Sequence, residues 1–367
     1  MMDRYSAPQG PLTGIRVIEF AAIGPAPFCA MLLSDMGADV VRIDRTLQDA
    51  FPDPVTNRGR AAVHLDLKSD AGRAAALDAI ALADVLIEGY RPGAMERLGL
   101  GPDAALARNP RLIYGRMTGW GQTGPLADRA GHDINYIAIT GALEEIGEAG
   151  GRPIPPLNLV GDFGGGALYL AFGIAAALVE RERSGKGQVI DAAIVDGTAS
   201  LLSMVSGTGS SGFPTGRGIN GLGGGWPSYR TYRCKDGRYM AVGALEEQFW
   251  SALADALGLT DEEKKRRPAD AQALIARMEA IFLTATQAQW SERLADIDGC
   301  VTPVLSLAEA PAHPHNRQRA TYRTLDGIDH PQPAPRLSRT PGVIQGPAPR
   351  RGEGGAERLR AWGVTLP

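Results

Sequence analysis

His132 is one of five histidines in the chain, and it stands in the segment RAGHDINY. Gly131 before it and Asp133 after it indicate a loop that leads into a helix, with Asp133 as a candidate N-cap. Because histidine titrates near neutral pH, His132 could act as a general base or a general acid. It could also be a loop histidine held by a backbone carbonyl, and the local sequence alone favours that structural role.

Asp162 lies in the segment GDFGGG, which is followed by a long apolar run. The pattern predicts a glycine-rich turn that leads into a helix buried on all sides. A carboxylate at such a turn could act on a substrate beside bare backbone N–H groups that hold a developing oxyanion. The alternative is a plain N-cap, although consecutive glycines lower stability unless something must approach the backbone closely.

Three arginines follow strand ends or lie in nearby loops: Arg45, Arg58 and Arg91. Guanidinium groups at the mouth of a parallel sheet can bind phosphate through paired hydrogen bonds, so together they fit a polyphosphate ligand. Each arginine taken alone is better explained as a solvated surface charge. Glu246 and Glu247 open a predicted helix, where acidic residues are ordinary, and their type and position alone indicate no function.

The turn after the first predicted strand, AAIGPAPFCA, has the position of a dinucleotide-binding turn. Asp44 also stands about where a ribose-binding acid would stand. However, the G-x-G-x-x-G glycines are missing, and Pro25 and Pro27 occupy positions where a close backbone approach would be needed. The sequence therefore argues against a nicotinamide or flavin site.

The elements that must position these residues alternate along the first part of the chain. Strands are predicted at 15–20, 39–44, 63–67, 85–88 and 112–117, with helices at 28–36 and 71–83, the second capped by Ser69 and Asp70. This alternation is typical of βαβ units around a parallel sheet. Ligands of such sheets bind beyond the carboxyl ends of the strands, so the functional loops are expected after Phe20, Asp44, Glu88 and Met117.

The remainder of the chain predicts a smaller second domain. Residues 206–227 are dense in Gly, Ser and Pro and are predicted to be a linker or a mobile loop. A strand at 238–244, a helix at 246–257 and a charged helical stretch to about 295 follow. The segment HPQPAPRLSRTPG is predicted to be extended.

Composition excludes several classes of protein. The 367 residues suggest two or three domains, and the net charge of −3 leaves no basic excess to bind nucleic acid or an anionic membrane. The longest apolar stretch, roughly residues 167–179, falls short of the ~20 residues of a membrane span. The three cysteines lie far apart and the N-terminus shows no secretory pattern, so a cytoplasmic location is expected.

A series of motifs runs in order along essentially the whole chain. They are PLTGIRVIEFAAIGPAPFCAMLLSDMGADVVRIDR, NRGR, ADVLIEGYRPGAMERLGLG, LIYGRMTGWGQTGPLADRAGHD, PPLNLVGDFGGG, SGKGQVIDAAIVDG, LEEQF, CVTPVLSLAEAPAHPHN and QPAPRLSRTPG. Together they resemble the family III CoA-transferase superfamily, and within it the α-methylacyl-CoA racemase branch.

The resemblance separates two reaction classes at one position. Racemases of this superfamily carry the histidine of G-H-D, here His132, where transferases commonly carry an aromatic residue. Asp162 matches an aspartate of both branches, which transfers a proton in racemases and forms an acyl-enzyme anhydride as a nucleophile in transferases. The resemblance therefore implies a racemase, with a CoA-transferase as the alternative and a non-enzymatic CoA-binding regulatory protein as a third hypothesis.

A racemase of this kind would invert the C2 centre of a 2-methyl-branched acyl-CoA by proton transfer through an enolate. His132 and Asp162 would be the two bases, on opposite faces of the carbon. The backbone N–H groups of Asp162, Phe163 and Gly164 would be the candidate donors to the enolate oxygen. By its match to the E-x-Q-F motif, Glu246 would hydrogen-bond to His132 and orient it.

The fold implied by the resemblance is α/β. It has a large Rossmann-like parallel-sheet domain and a smaller α+β domain, and two chains interlock as a homodimer so that Glu246 comes from the partner. The expected boundaries are 1–200 for the large domain, 201–228 for the linker, 229–310 for the small domain, and 311–367 for the return to the large domain. CoA, as part of the substrate, would contact Arg45, Arg58 and Arg91, and no metal or other cofactor is implied.

Overall fold

The chain divides into two units. A computed structural model describes residues 8–47 and 53–366. The first unit comprises residues 1–140, 157–201 and 318–367, and the second comprises 141–156 and 202–317. The division differs from the predicted boundaries at residues 311–317 and 141–156, which belong to the second unit. Residues 141–156 pack on the loop that begins after residue 210, where Arg217 binds Glu144 and Asn220 binds Glu145.

Strands and helices alternate along the first part of the chain, and the later elements follow no regular alternation. The strands are β1 (Arg16–Phe20), β2 (Asp39–Asp44), β3 (Ala61–His64), β4 (Val85–Glu88), β5 (Ile113–Thr118), β6 (Gln188–Ala193), β7 (Tyr229–Arg233), β8 (Tyr239–Gly243), β9 (Val301–Pro303), β10 (Tyr322–Leu325) and β11 (Ile328–Pro331). The helices are α1 (Pro25–Asp35), α2 (Asp70–Ala81), α3 (Ala94–Arg97), α4 (Pro102–Arg108), α5 (Asp133–Ile139), α6 (Leu168–Ser184), α7 (Ile194–Leu201), α8 (Ser203–Ser210), α9 (Glu247–Ala256), α10 (Asp261–Lys264), α11 (Ala271–Phe282), α12 (Gln287–Arg293), α13 (Pro314–Gln318) and α14 (Gly355–Trp362). A π-helix spans Leu159–Ala167, and short 3₁₀ turns span Pro268–Asp270 and Ala310–Ala312.

A parallel sheet organises the first unit. Among the described residues its strands lie in the order β3-β2-β1-β4-β5-β6, and each neighbouring pair is parallel. This is the strand order of a doubly wound Rossmann-like sheet, in which the strand order reverses between β1 and β4. The predicted α/β class is confirmed, and β3 lies two to three residues earlier than predicted.

Both faces of the sheet are covered, as buried β-branched strands require. Ile18 packs with Ile80 of α2 and Leu359 of α14 in one core. Its neighbour Val17 points to the opposite face and packs with Leu33 of α1 and Ile174 of α6 in the other. Successive residues of a strand point to opposite faces, so each strand serves both cores.

The helical segment after residue 158 differs from the prediction. The π-helix continues directly into α6, so Leu159–Ser184 is by length and composition apolar enough to cross a membrane. In this fold Leu170 and Ile174 are buried against the sheet, whereas Phe172 and Val179 are 73% and 64% exposed. The prediction of a helix buried on all sides is wrong, because only one side of α6 faces the sheet.

The second unit has its own core. Strands β7, β8 and β9 pair antiparallel, and Trp250, Phe282 and Trp290 from α9, α11 and α12 pack in the core cluster of this unit. The first part of the predicted linker forms α8, which makes that part of the prediction wrong. The chain returns to the first unit at residue 318. Its last helix, α14, lies close to β3, since a Cβ placed on Gly355 would lie 2.4 Å from the carbonyl carbon of Ala62.

Candidate active site

A cavity of about 400 Å³ opens at the point where the strand order reverses. The loop after β1 contributes Gly24, the loop after β4 contributes Tyr90 and Arg91, and the loop after β5 contributes Trp120. His132 and Asp162 both line this cavity. The structure therefore brings together two residues that are far apart in the sequence, at the edge of the sheet where the fold binds ligands.

His132 is the N-cap of α5, with extended backbone angles of φ −134° and ψ 173°. Its N–H donates to the side-chain oxygen of Asn135 at 3.0 Å, and its side chain is exposed toward the cavity. Asp133 was the predicted N-cap, but it is the first helical residue. The imidazole thus projects from the start of a helix whose first turn is held by side-chain hydrogen bonds.

Asp162 lies in the first turn of the π-helix and is half-buried. Gly24, the N-cap of α1, approaches it closely, since a Cβ at Gly24 would lie 2.9 Å from Asp162 Oδ2. Gly24 also has a φ of +69°, which an L-residue rarely adopts. The position of the carboxylate therefore depends on the absence of a side chain in the turn after β1.

The glycines after Asp162 serve the packing of helices. A Cβ on Gly165 would lie 2.8 Å from the backbone nitrogen of Thr198 in α7, and one on Gly166 would lie 3.0 Å from Ile194. On the α7 side, a Cβ on Gly197 would lie 1.8 Å from the carbonyl oxygen of Gly165. The sequence predicted that something approaches the backbone of these glycines closely. The structure shows that helix α7 makes this close approach.

Asp133 links the two candidate bases. It follows His132 in the chain, and its Oδ2 accepts the backbone N–H of Asp162 at 2.7 Å. Its Oδ1 is buried without a hydrogen-bond partner among the described residues. The N–H of Phe163 donates to the carbonyl of Asn158 at 3.1 Å. The prediction of bare oxyanion donors is therefore wrong for Asp162 and Phe163, because both N–H groups already donate within the chain.

The surroundings of Asp162 raise the pKa of its carboxyl from 3.8 to about 6. Burial is the largest cause, and the negative charge of Asp133 is the second. A hydrogen bond from the Asn158 side chain and the nearby His132 act in the opposite direction. A carboxyl with a pKa near neutral can both accept and return a proton under physiological conditions.

The three predicted phosphate-binding arginines have different roles. Arg58 is 1% exposed, and its guanidinium binds both carboxylate oxygens of Asp35, at 3.1 and 2.6 Å. The prediction that Arg58 contacts CoA is therefore wrong, since a buried paired guanidinium is a structural element. Arg45 is exposed and lies 4.5 Å above the ring of Tyr90, and the exposed Arg91 lines the cavity.

Asp44 has no free carboxylate for a ribose. It is fully buried and binds Arg42 at 2.8 Å and Arg351 at 2.6 Å. Glu246 belongs to the second unit, where it is exposed and occupies the N-cap position of α9 without a side-chain capping hydrogen bond. Its neighbour Glu247 binds Arg266 at 2.8 Å.

The family of the chain follows from a comparison with known sequences. The profile of CoA-transferase family III matches residues 12–354. The chain belongs to CoA-transferase family III. The predicted family is confirmed, and the match covers both the parallel-sheet unit with its cavity and the second unit.

Relatives within family III are similar over most of their length. The mouse protein named alpha-methylacyl-CoA racemase is 46% identical over 360 residues, which cover 96% of this chain and 94% of the relative. The human protein of the same name is 44% identical and covers 90% of this chain and 88% of its own. A crystal structure of a CAIB/BAIF family protein from Brucella suis matches 96% of this chain and 100% of its own, with a TM-score of 0.83 and 27% identity.

Sequence reasoning missed several residues of this candidate site. Trp120 and Tyr136 pack edge to face, with ring centroids 4.7 Å apart, and both line the cavity beside His132. Asn158 hydrogen-bonds to the Asp162 carboxylate. The sequence held one usable signal: Trp120 follows the end of a predicted strand, where ligand-binding loops are expected.

Proposed function

We propose that this protein is an α-methylacyl-CoA racemase that inverts the C2 centre of 2-methyl-branched acyl-CoA thioesters. The racemases from mouse and human, at 46% and 44% identity, support this function. The observation that carries the proposal is that His132 and Asp162 line one cavity, at the point where the strand order of the sheet reverses. A histidine and a carboxyl that share a cavity suit proton transfer at an acidified C–H bond.

In the proposed reaction one base removes the C2 proton from one face, which leaves an enolate of the thioester. The other base, protonated at the start, delivers its proton to the opposite face of C2. Each turnover leaves the two bases with exchanged protonation states, so the reverse reaction uses the same groups in the opposite order. The pKa of Asp162 near 6 suits this exchange, because neither protonation state of the carboxyl is strongly disfavoured near neutral pH.

Arg45 and Arg91 are the proposed contacts of the CoA phosphates. Arg91 lines the same cavity as the two bases, and Arg45 stacks on Tyr90, the residue before Arg91. Guanidinium groups bind phosphate bidentately, and stacking on an aromatic ring orders the guanidinium beforehand. CoA is part of the substrate, and the proposed proton transfers use only side chains of the protein.

The alternative is a CoA-transferase in which Asp162 attacks the thioester and forms an acyl-enzyme anhydride. Incubation of the protein with a (2R)-2-methylacyl-CoA in D₂O, without any acceptor acid, separates the two reactions. A racemase incorporates deuterium at C2 while the substrate loses its chirality. Acyl exchange that appears only with a second acid, with no deuterium at C2, would refute the racemase and support the transferase.

The active protein is proposed to be a homodimer. The apolar residues Leu168, Phe172 and Val179 of α6 are 51%, 73% and 64% exposed in one chain, and a second copy would cover them. Sedimentation equilibrium should give twice the chain mass of 38.7 kDa.

The protein is also proposed to work in a reducing compartment such as the cytoplasm. Its three cysteines are free, as expected in such a compartment.

Glu246 is proposed to orient the His132 of the partner chain. Co-expression of His132→Ala and Glu246→Ala chains tests this arrangement. If the two residues of one site come from different chains, each hybrid dimer has one intact site. Random pairing then restores about a quarter of wild-type activity. No restoration in hybrid dimers would show that Glu246 does not serve the partner's site.

A further inference from the structure

We propose that Tyr136 is a positioning residue that holds the backbone before His132 and thereby aims the imidazole at C2. The inference rests on the proposed function, in which His132 is one of the two bases. Tyr136 lies in the first turn of α5, four residues after His132, and it lines the same cavity. Its contacts are with the peptide that precedes His132.

The hydroxyl of Tyr136 donates a hydrogen bond to the carbonyl oxygen of Gly131. Gly131 is the residue before the N-cap, and Tyr136 is the fourth helical residue. An apolar contact between these two positions often fixes the angle at which a chain enters a helix. Here a hydrogen bond joins the same two positions and fixes the peptide that carries His132.

The ring of Tyr136 restricts the same segment by packing. A Cβ at Gly131 would lie 2.7 Å from Tyr136 Cε1 and 2.8 Å from Trp120 Cζ2, so Gly131 lies between two aromatic rings. A Cβ at Gly119, directly after β5, would lie 2.0 Å from the Tyr136 ring. Trp120 is itself fixed, because its indole N–H donates to the carbonyl of Arg129 at 3.2 Å.

The hydroxyl of Tyr136 remains a donor at the pH at which the two bases work. Burial raises the pKa of Tyr136, and the charges of Asp162 and Asp133 raise it further, while Arg91 lowers it. The proton of this hydroxyl is used by the Gly131 carbonyl. Tyr136 is therefore suited to orient His132, and it is not needed as a proton donor to the substrate.

The variant Tyr136→Phe removes the hydrogen bond and keeps the ring. We expect kcat to fall about 10- to 100-fold, because a small displacement of a reacting group costs this much. We expect KM to change less than about threefold, because the contacts with CoA are kept. Tyr169→Phe is the matched control: the Tyr169 hydroxyl donates to Ser200 at 2.6 Å, outside the cavity, and kcat should stay at the wild-type value.

A merely structural role is separated from positioning by hydrogen exchange in D₂O. In His132→Ala, the enantiomer whose C2 proton faces Asp162 should still exchange, and the other enantiomer should not. Tyr136→Phe should slow the exchange of both enantiomers unequally. The exchange rate should fall more for the enantiomer that His132→Ala fails to exchange. Wild-type kcat in Tyr136→Phe, or an equal loss for both enantiomers, would overturn the inference.

Two further measurements keep the outcome unambiguous. If Tyr136→Phe fails to fold, Gly131→Ala tests the same contact, because its methyl group would press on the rings of Tyr136 and Trp120 and should give the same bias. Wild-type protein that incorporates no deuterium at C2 would refute the proposed function itself. If the wild-type protein incorporates deuterium at C2 but Gly131→Ala slows the exchange of both enantiomers equally, only the role of Tyr136 is refuted.

Discussion

The negative charge of Asp133 should set the pH at which Asp162 becomes a base. Its carboxylate accepts the backbone N–H of Asp162 at 2.7 Å, and its charge is the second largest cause of the raised Asp162 pKa. The substitution Asp133→Asn removes the charge and keeps an oxygen that can accept the same hydrogen bond. The pKa of Asp162 should therefore fall from about 6 toward its ordinary value of 3.8.

The size of the effect follows from the causes of the shift. Burial, the largest cause, stays in the variant, so the decrease should be about 0.5 to 1 pKa unit. With a decrease of 1 unit, the ionised fraction of Asp162 at pH 5 rises from about 10% to about 50%. For the substrate enantiomer deprotonated by Asp162, kcat/KM at pH 5, relative to its plateau, should rise about fivefold.

The assay is the pH profile of kcat/KM measured separately for the two enantiomers. Asp103→Asn is the matched control, because it removes one charge from the exposed start of α4 in the same unit, and it should leave the acid limb in place. Thermal unfolding at each pH verifies that both variants stay folded. An acid limb that does not move in Asp133→Asn, or that moves to higher pH, would refute the electrostatic reasoning.

Four other substitutions have defined outcomes. Gly24→Ala should reduce kcat far more than Gly99→Ala, since both have a φ of +69° but only the Cβ at Gly24 meets the Asp162 carboxylate; equal kcat would contradict this. Asp162 is neutral in both states below its unfolded pKa of 3.8, and between pH 3.8 and 6 its ionisation increasingly favours the unfolded chain. Asp162→Asn should therefore raise the melting temperature at pH 7.5 and leave it nearly unchanged at pH 3.5; an equal rise would oppose this assignment. Arg58→Ala should cost about 3–5 kcal/mol of stability because it leaves a buried carboxylate unpaired. Arg91→Ala should instead raise KM for acyl-CoA without lowering the melting temperature. A higher KM in a stable Arg58→Ala variant, with a lower melting temperature in Arg91→Ala, would contradict both assignments.

The parallel sheet could be predicted because its signals are local. Strands β1, β2 and β4 are short apolar runs that end at residues typical of turns, and they were predicted to within one residue. Ser69 was predicted as a cap, and its hydroxyl accepts the N–H of Gly72 at 3.0 Å. Patterns of this kind depend on residues near in sequence, so the amino-acid order records them directly.

The features that were missed depend on contacts between distant residues. Arg58 looks like a loop cation in the sequence, but it pairs with Asp35, 23 residues earlier. The bond between Asp133 and Asp162 spans 29 residues. The π-helix around Asp162 depends on glycines that face α7, whose position the local sequence does not record. The family resemblance pointed to His132 and Asp162, and both line the cavity. It did not point to Asp133 and Asn158, which act on the pKa of Asp162.

The most direct test of the account compares His132→Ala and Asp162→Ala in D₂O with each enantiomer of a 2-methylacyl-CoA. Both variants should fold and both should fail to racemise the substrate. Each should still exchange the C2 hydrogen of one enantiomer, and the two variants should exchange opposite enantiomers, since each retains the base on one face. Near-native racemisation by either variant, or exchange of the same enantiomer by both, would contradict a mechanism with His132 and Asp162 on opposite faces of C2.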